Sequence, residues 1–174
     1  IVESDFYTQM RTNQQLGYIV WSFQQRMEDR IFFRMVIQSS THEPFEMSKR
    51  VNAWMKSTET LFSKLTDEEF ERHREALIVG LEKEGDSIGA VLGDLYSLAV
   101  DEKGDFSYKK KLIQAVKVVK KKDVFHTAKK VFLDSSTSRL EVLMRAKGSN
   151  AKVPAGVISE VIDFKKALMR TKSN

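Results

Sequence analysis

Apolar residues recur along this chain in two rhythms. Between residues 17 and 39 they crowd into two short runs, GYIVWSFQ (17–24) and IFFRMVIQS (31–39), with the polar RMEDR between them. Runs of that length, rich in β-branched and aromatic residues, predict an antiparallel hairpin. Both faces of the hairpin carry apolar side chains, so helices are expected over at least one of them. From Pro44 the rhythm changes to three- and four-residue steps. Met47, Val51, Trp54, Met55, Leu61, Phe62 and Leu65 make one helical stripe, opened by a proline where a first helical turn tolerates it. Thr66 and Glu69 then have the spacing of a capping box, and Phe70, Ala76, Leu77 and Leu81 line the helix behind it until Gly85 and Asp86 break it.

A third helix is expected from Ile88, Val91, Leu92, Leu95 and Leu98, ending at Gly104. A fourth covers 106–119, with Tyr108, Leu112, Ile113, Val116 and Val119 turned inward. Asp123 caps a fifth, which holds Phe125, Ala128 and Phe132. Residues 3–12 read as the last turns of a helix, and SRLEVLMR (138–145) alternates as a strand would. GSNAKVPAG reads as a loop and 157–170 as a final helix. The predicted class is α+β, a small antiparallel sheet packed against several helices. Residues 1–174 form a single domain or domain fragment on this reading. Three strands make a thin sheet, and further strands are expected from an upstream part of the polypeptide.

Composition narrows this picture only slightly. The chain has 174 residues, 41% hydrophobic and 30% charged, enough to bury a sizeable core. No run approaches 18 uninterrupted apolar residues, so no membrane-spanning helix is expected. The opening IVESDFYTQM lacks the basic and apolar regions of a signal peptide. Cysteine is absent, which excludes disulfides and thiolate metal sites. The net charge of +5 favours anionic partners mildly without requiring one.

Most familiar chemistries find no support. His42, His73 and His126 are isolated in sequence, with no pair at helix-ligand spacing and neither H-E-x-x-H nor H-x-x-E-H, so no metal site is assigned. G-x-S-x-G, P-loop and G-x-G-x-x-G patterns are also missing. Nine lysines fall within 109–130 (Lys109, Lys110, Lys111, Lys117, Lys120, Lys121, Lys122, Lys129 and Lys130). They could attract a polyanion, but they carry no arginine and no stacking aromatics, and they alternate with an apolar stripe. A solvated helix face explains them more simply, and nucleic acid is not an expected partner.

The segment FYTQMRTNQQLGYIVWSF (6–23) is different. From its residues alone, Arg11 is a cation favoured near a helix C-terminus, Gly17 opens a strand, and Tyr18 keeps a wet hydroxyl. Its order, an aromatic, then Arg-Thr-x-x-Gln-Leu-Gly-Tyr, then β-branched residues, resembles the C-terminal part of the pitrilysin and insulin-degrading enzyme family of zinc metallopeptidases. VIQSS (36–40), LTDEEFERHREALI (65–78) and VVKKKDVFHTAKKVFL (118–133) extend the likeness over nearly the whole chain.

The resemblance implies the fourth of four related α+β domains, arranged as two halves that close around a chamber. Zinc and the general base would come from an N-terminal domain outside this chain, and peptides would be the substrates. Arg11, Gly17 and Tyr18 would build the substrate site from the opposite half. Tyr18 would donate to the oxyanion, Arg11 would bind backbone carbonyls, and Gly17 would allow a close backbone approach. This chain alone would be inactive. The anion-binding site of some relatives is not carried over, because Glu84 and Asp86 accompany Lys83 in LEKEGDS (81–87). Two other readings remain, a catalytically inactive relative and a basic polyanion-binding module. Compartment is left open, with the periplasm implied for a bacterial enzyme of this type.

Overall fold

Among the described residues, eight regular elements arise from these rhythms, together with one π-helical segment. The computed structural model describes residues 1–27, 30–135, 137–149, 152–153 and 157–158. Helix α1 (Val2–Tyr7) runs directly into a π-helical segment, Thr8–Asn13, and the chain then enters a hairpin of β1 (Ile19–Met27) and β2 (Arg30–Gln38). Five further helices come after it: α2 (Pro44–Lys64), α3 (Asp67–Glu82), α4 (Ile88–Val100), α5 (Tyr108–Val118) and α6 (Lys121–Phe132). The class is α+β, as the sequence pattern indicates.

The hairpin is antiparallel, with Val20 opposite Ile37, Ser22 opposite Met35 and Gln24 opposite Phe33. Side chains alternate between faces. One face carries Val20, Phe33, Met35 and Ile37 into a core with Phe6, Met10, Leu16, Trp54 and Met55. Aromatic rings knit this core edge to face. Phe6 meets Trp54 at 4.8 Å, Trp54 meets Phe132 at 5.7 Å, and Phe132 meets Phe33 at 5.1 Å. The Trp54 indole N–H donates to Asp5 Oδ2 at 2.7 Å, so its polar edge is satisfied as the ring is buried.

Helix starts are set by local chemistry. Pro44 stands in the first turn of α2. The Thr66 capping box opens α3, with both reciprocal bonds formed. The Ser87 hydroxyl accepts from the Ala90 N–H at the start of α4. Asp123 lies in the first turn of α6, where an acid suits the dipole, whereas the cap itself is Lys120. Phe62 of α2 stacks on Phe125 of α6 at 6.0 Å, and α3 packs along α5. Arg26, near the end of β1, holds both Glu102 oxygens at 2.5 and 2.6 Å and stands 5.8 Å from the Tyr108 ring centroid. That contact pins the α4–α5 connection to the sheet. None of the residues of α4 is buried, so its apolar stripe is not a core stripe within this chain.

Two further expectations are corrected. Residues 3–12 are not one continuous α-helix, because hydrogen bonding shifts to the wider i→i+5 pattern at Thr8. Residues 138–145 alternate as a strand would, yet they join no ladder. Arg139 is instead drawn to α2, donating to Asn52 Oδ1 at 2.7 Å and lying 3.7 Å from Met55 Sδ. A strand exists only with a partner, and this segment has its side-chain anchor on a helix. The expected helix at 157–170 lies outside the described residues, apart from positions 157 and 158.

The chain divides into two compact units, Ile1–Leu143 and Met144–Asn174. All eight elements belong to the first. In the second, a turn closes with Ser149 N–H donating to Ala146 C=O at 3.1 Å, and Gly148 takes a left-handed φ of 89°. Among the described residues no helix is long and apolar enough to cross a membrane.

Candidate substrate-binding site

Arg11 and Tyr18 are set on opposite sides of one tight crossing between helix and strand. Two fully buried side chains fix that crossing. Met10, beside Arg11, and Leu16, two residues before Tyr18, are both 0% exposed, and the Leu16 N–H donates to the Met10 C=O at 2.9 Å. The Gln14 N–H similarly donates to Gln9 C=O at 3.0 Å. The π-helical turn therefore ends by folding straight back, with Gln15 in the left-handed region at φ 51°.

Anchored this way, the polar residues between the two apolar anchors turn outward. The Arg11 guanidinium lies 5.4 Å from the centroid of the Tyr18 ring, a cation–π distance. Tyr18 is 85% exposed while Arg11 is half-buried. Among the described residues neither side chain has a hydrogen-bond partner, so the hydroxyl and the guanidinium N–H groups are available to a ligand. The sequence spacing of seven thus becomes a direct contact.

Gly17 is held against the end of β2. A Cβ built on it would stand 2.0 Å from the Gln38 carbonyl oxygen and 2.8 Å from its carbon. Any other residue would force the hairpin open at the point where Tyr18 emerges. The π-helical bonding that carries Arg11 had no distinct sequence signal, because Met10 and Leu16 read equally well as members of an ordinary helix and strand.

The remaining candidates do not converge. His42 is held in its own turn, 3.0 Å from Thr41 Oγ1, while His73 and His126 lie on exposed positions of α3 and α6. Among the described residues no three His, Asp, Glu or Cys side chains could hold a metal ion. Several of the lysines have local partners: Lys111 pairs with Asp105, Lys121 with Asp67, Lys129 with Glu59, and Lys109 donates to Lys83 C=O. Lys111 and the Ser107 hydroxyl together hold the Asp105 carboxyl below the usual carboxylate range. A pocket of about 410 Å³ is lined by Phe62 of α2, Asp67 of α3, and Lys120–Lys122 and Phe125 at the start of α6; Lys121 pairs with Asp67 across it, while Lys120 and Lys122 have no carboxylate partner among the described residues.

A family model described as the PQQ synthase PqqF-like C-terminal lobe domain 4 matches residues 1–93, more than half of the chain. The chain belongs to this family, as a C-terminal domain of an insulinase-family peptidase. It is 29% identical to a nardilysin-like protein of Arabidopsis thaliana, over 95% of this chain and 17% of that protein. It is 28% identical to Protease 3 of Salmonella typhi, over 74% of this chain and 14% of the relative. Human insulin-degrading enzyme is 24% identical, over 82% of this chain and 14% of its own length. A crystal structure of pitrilysin shares the fold with a TM-score of 0.66 at 21% identity, covering 74% of this chain and 14% of that one. The chain therefore spans roughly one-seventh to one-sixth of these relatives.

Proposed function

We propose that this chain is the C-terminal substrate-binding part of a zinc-dependent metalloendopeptidase that hydrolyses peptides. Arg11 and Tyr18 serve the substrate, and the metal ligands and general base come from an N-terminal half of the same protein. The donor groups among the described residues do not fit a zinc site, and this chain's own side chains act on the peptide alone.

The observation that carries the reading is the Arg11–Tyr18 pair, two unpartnered donor groups in contact, one of them 85% exposed, on a backbone crossing that Gly17 makes possible. A peptide carbonyl gains negative charge on oxygen as water adds to it. A preorganised hydroxyl donor stabilises that charge more than it stabilises the neutral carbonyl. Tyr18 supplies such a donor. Arg11 presents a fork of N–H groups suited to backbone carbonyls, so it orients a peptide without reading its side chains. Its cation over the Tyr18 ring also limits where the hydroxyl can swing.

Kinetics of the full-length enzyme test this. Tyr18→Phe removes one donor from an exposed position, so the fold should be unchanged by circular dichroism. The expected loss in kcat is about a hundredfold, the usual scale for an oxyanion donor, with KM altered much less. Arg11→Ala should act chiefly on KM. An unchanged kcat in Tyr18→Phe would sink the proposal.

A further inference from the structure

Tyr18 is held from two directions. Buried side chains, Leu16 and Val20, anchor the strand on one side of it. On the other, main chain alone does the work. Gly17 leans on the Gln38 carbonyl, and a Cβ built on it would also stand 3.3 Å from Ser39 Cα. The hairpin ladder ends with Ile19 opposite Gln38. One step further along the same register Tyr18 falls opposite Ser39, just outside the ladder, so strand pairing does not fix that end of β2.

What fixes it is the Ser39 side chain. Ser39 Oγ accepts from the His42 N–H at 2.9 Å and from the Thr41 N–H at 3.2 Å, which closes a tight turn between β2 and α2. A serine hydroxyl that captures the main chain two and three residues on makes such a turn by itself. The His42 ring adds to it, with Nδ1 3.0 Å from Thr41 Oγ1 and 3.4 Å from Ser39 Oγ. Two residues later Pro44 is buried in the first turn of α2, so the turn is tied at its far end as well.

We propose that Ser39 is a positioning residue for the Arg11–Tyr18 site. It sets the main chain of Gln38 and Ser39, Gly17 rests on that main chain, and Tyr18 is the next residue. The inference rests on the reading of Tyr18 as the oxyanion donor and deepens it, by giving the β2–α2 turn the task of placing that donor. Without the Ser39 hydroxyl the Thr41 and His42 N–H groups lose their acceptor, the turn relaxes, and the support under Gly17 shifts. An oxyanion donor works only where the charge develops, and a misplacement of about 1 Å is enough to slow a reaction on the order of a hundredfold.

Kinetics of the full-length enzyme separate this role from a general loss of stability, when measured at a temperature where urea unfolding shows every variant fully folded. Ser39→Ala should lower kcat about tenfold, part of the roughly hundredfold expected when the donor is lost outright, and move KM less than about twofold. Ser39→Thr and Ser39→Asn both keep a side-chain oxygen able to accept from the same N–H groups, and at least one of them should return kcat to within about twofold of wild type. In the Tyr18→Phe background, Ser39→Ala should lower kcat no further, because the hydroxyl it places is already gone and the two changes are not additive.

An unchanged kcat in Ser39→Ala overturns the proposal, and so does a loss that neither Ser39→Thr nor Ser39→Asn recovers. A loss that multiplies with that of Tyr18→Phe overturns it too, because Ser39 would then act on the fold at large. Each of these results leaves the catalytic reading standing as long as Tyr18→Phe lowers kcat on its own. An unchanged kcat in Tyr18→Phe removes that reading and this inference with it.

Discussion

At the scale of single residues, two glycines separate space from conformation. Gly17 does not take a left-handed φ, but a Cβ there would meet the Gln38 carbonyl and Ser39 Cα, all main-chain atoms that no rotamer can move aside. Gly17→Ala should therefore destabilise by about 1–3 kcal/mol or more, the range for overpacking. Urea unfolding would show this as a lowered midpoint, and turnover in the full-length enzyme should fall with it because Tyr18 is the next residue. Gly93 in α4 is the control. No atom lies within 4 Å of its added Cβ, so Gly93→Ala should raise stability by roughly 0.5–1 kcal/mol through helix propensity. Equal effects at the two positions would contradict the contact at Gln38. The importance of Gly17 is readable in the sequence as a glycine at a strand start, whereas the atom it must avoid lies 21 residues away and is set by the hairpin register.

At the scale of elements, the most fully bonded case is the start of α3. Glu69 accepts from the Thr66 N–H at 2.8 Å and from the Thr66 hydroxyl at 3.1 Å, and the Glu69 N–H donates back to that hydroxyl. The bonds to Thr66, backbone first, hold the Glu69 carboxyl below its usual value of 4.5. A depressed carboxylate stabilises the fold above its unfolded pKa and loses that contribution as pH falls through the folded one. The advantage of wild type over Glu69→Gln should accordingly be present at neutral pH and fade below about pH 4.5. Thr66→Ala should cost about 1 kcal/mol at neutral pH, as loss of a capping side chain does. Both are checked by chemical denaturation from neutral pH down through the carboxylate range; a pH-independent difference for Glu69→Gln would contradict the assignment. This cap was legible in the sequence, as was Pro44, because both are complete within four residues. Residues 138–145 were not, since alternation states a preference for a strand and cannot state whether an edge is within reach. The π-helical turn was hidden for a related reason: its hydrogen bonds shift because Met10 and Leu16 are both drawn into the core, and a linear pattern does not register that pull.

At the scale of the whole first unit, the core and the candidate site are one construction. Phe6, Trp54, Phe132 and Phe33 come from α1, α2, α6 and β2, and their rings form a continuous edge-to-face series. Met10, Leu16 and Val20 pack in the same cluster, and they bracket Arg11 and Tyr18 in sequence. The Phe62–Phe125 stack stands apart from that cluster, joining α2 to α6. This geometry predicts that two truncations of the same kind will have different consequences. Phe6→Ala should cost about 3–5 kcal/mol, the range for an aromatic removed from a filled core. That is a large share of the roughly 5–15 kcal/mol a domain usually holds. Under conditions where the variant is still folded, the cavity beside Met10 should loosen the crossing and lower peptide turnover in the full-length enzyme. Phe125→Ala removes a half-buried ring that touches none of the site's anchors, so it should lower the urea midpoint less and leave kcat close to wild type. If Phe125→Ala reduced turnover as much as Phe6→Ala at matched fractions folded, the Met10–Leu16–Val20 anchor could not be what positions the pair, and the site would have to depend on the overall stability of the unit instead.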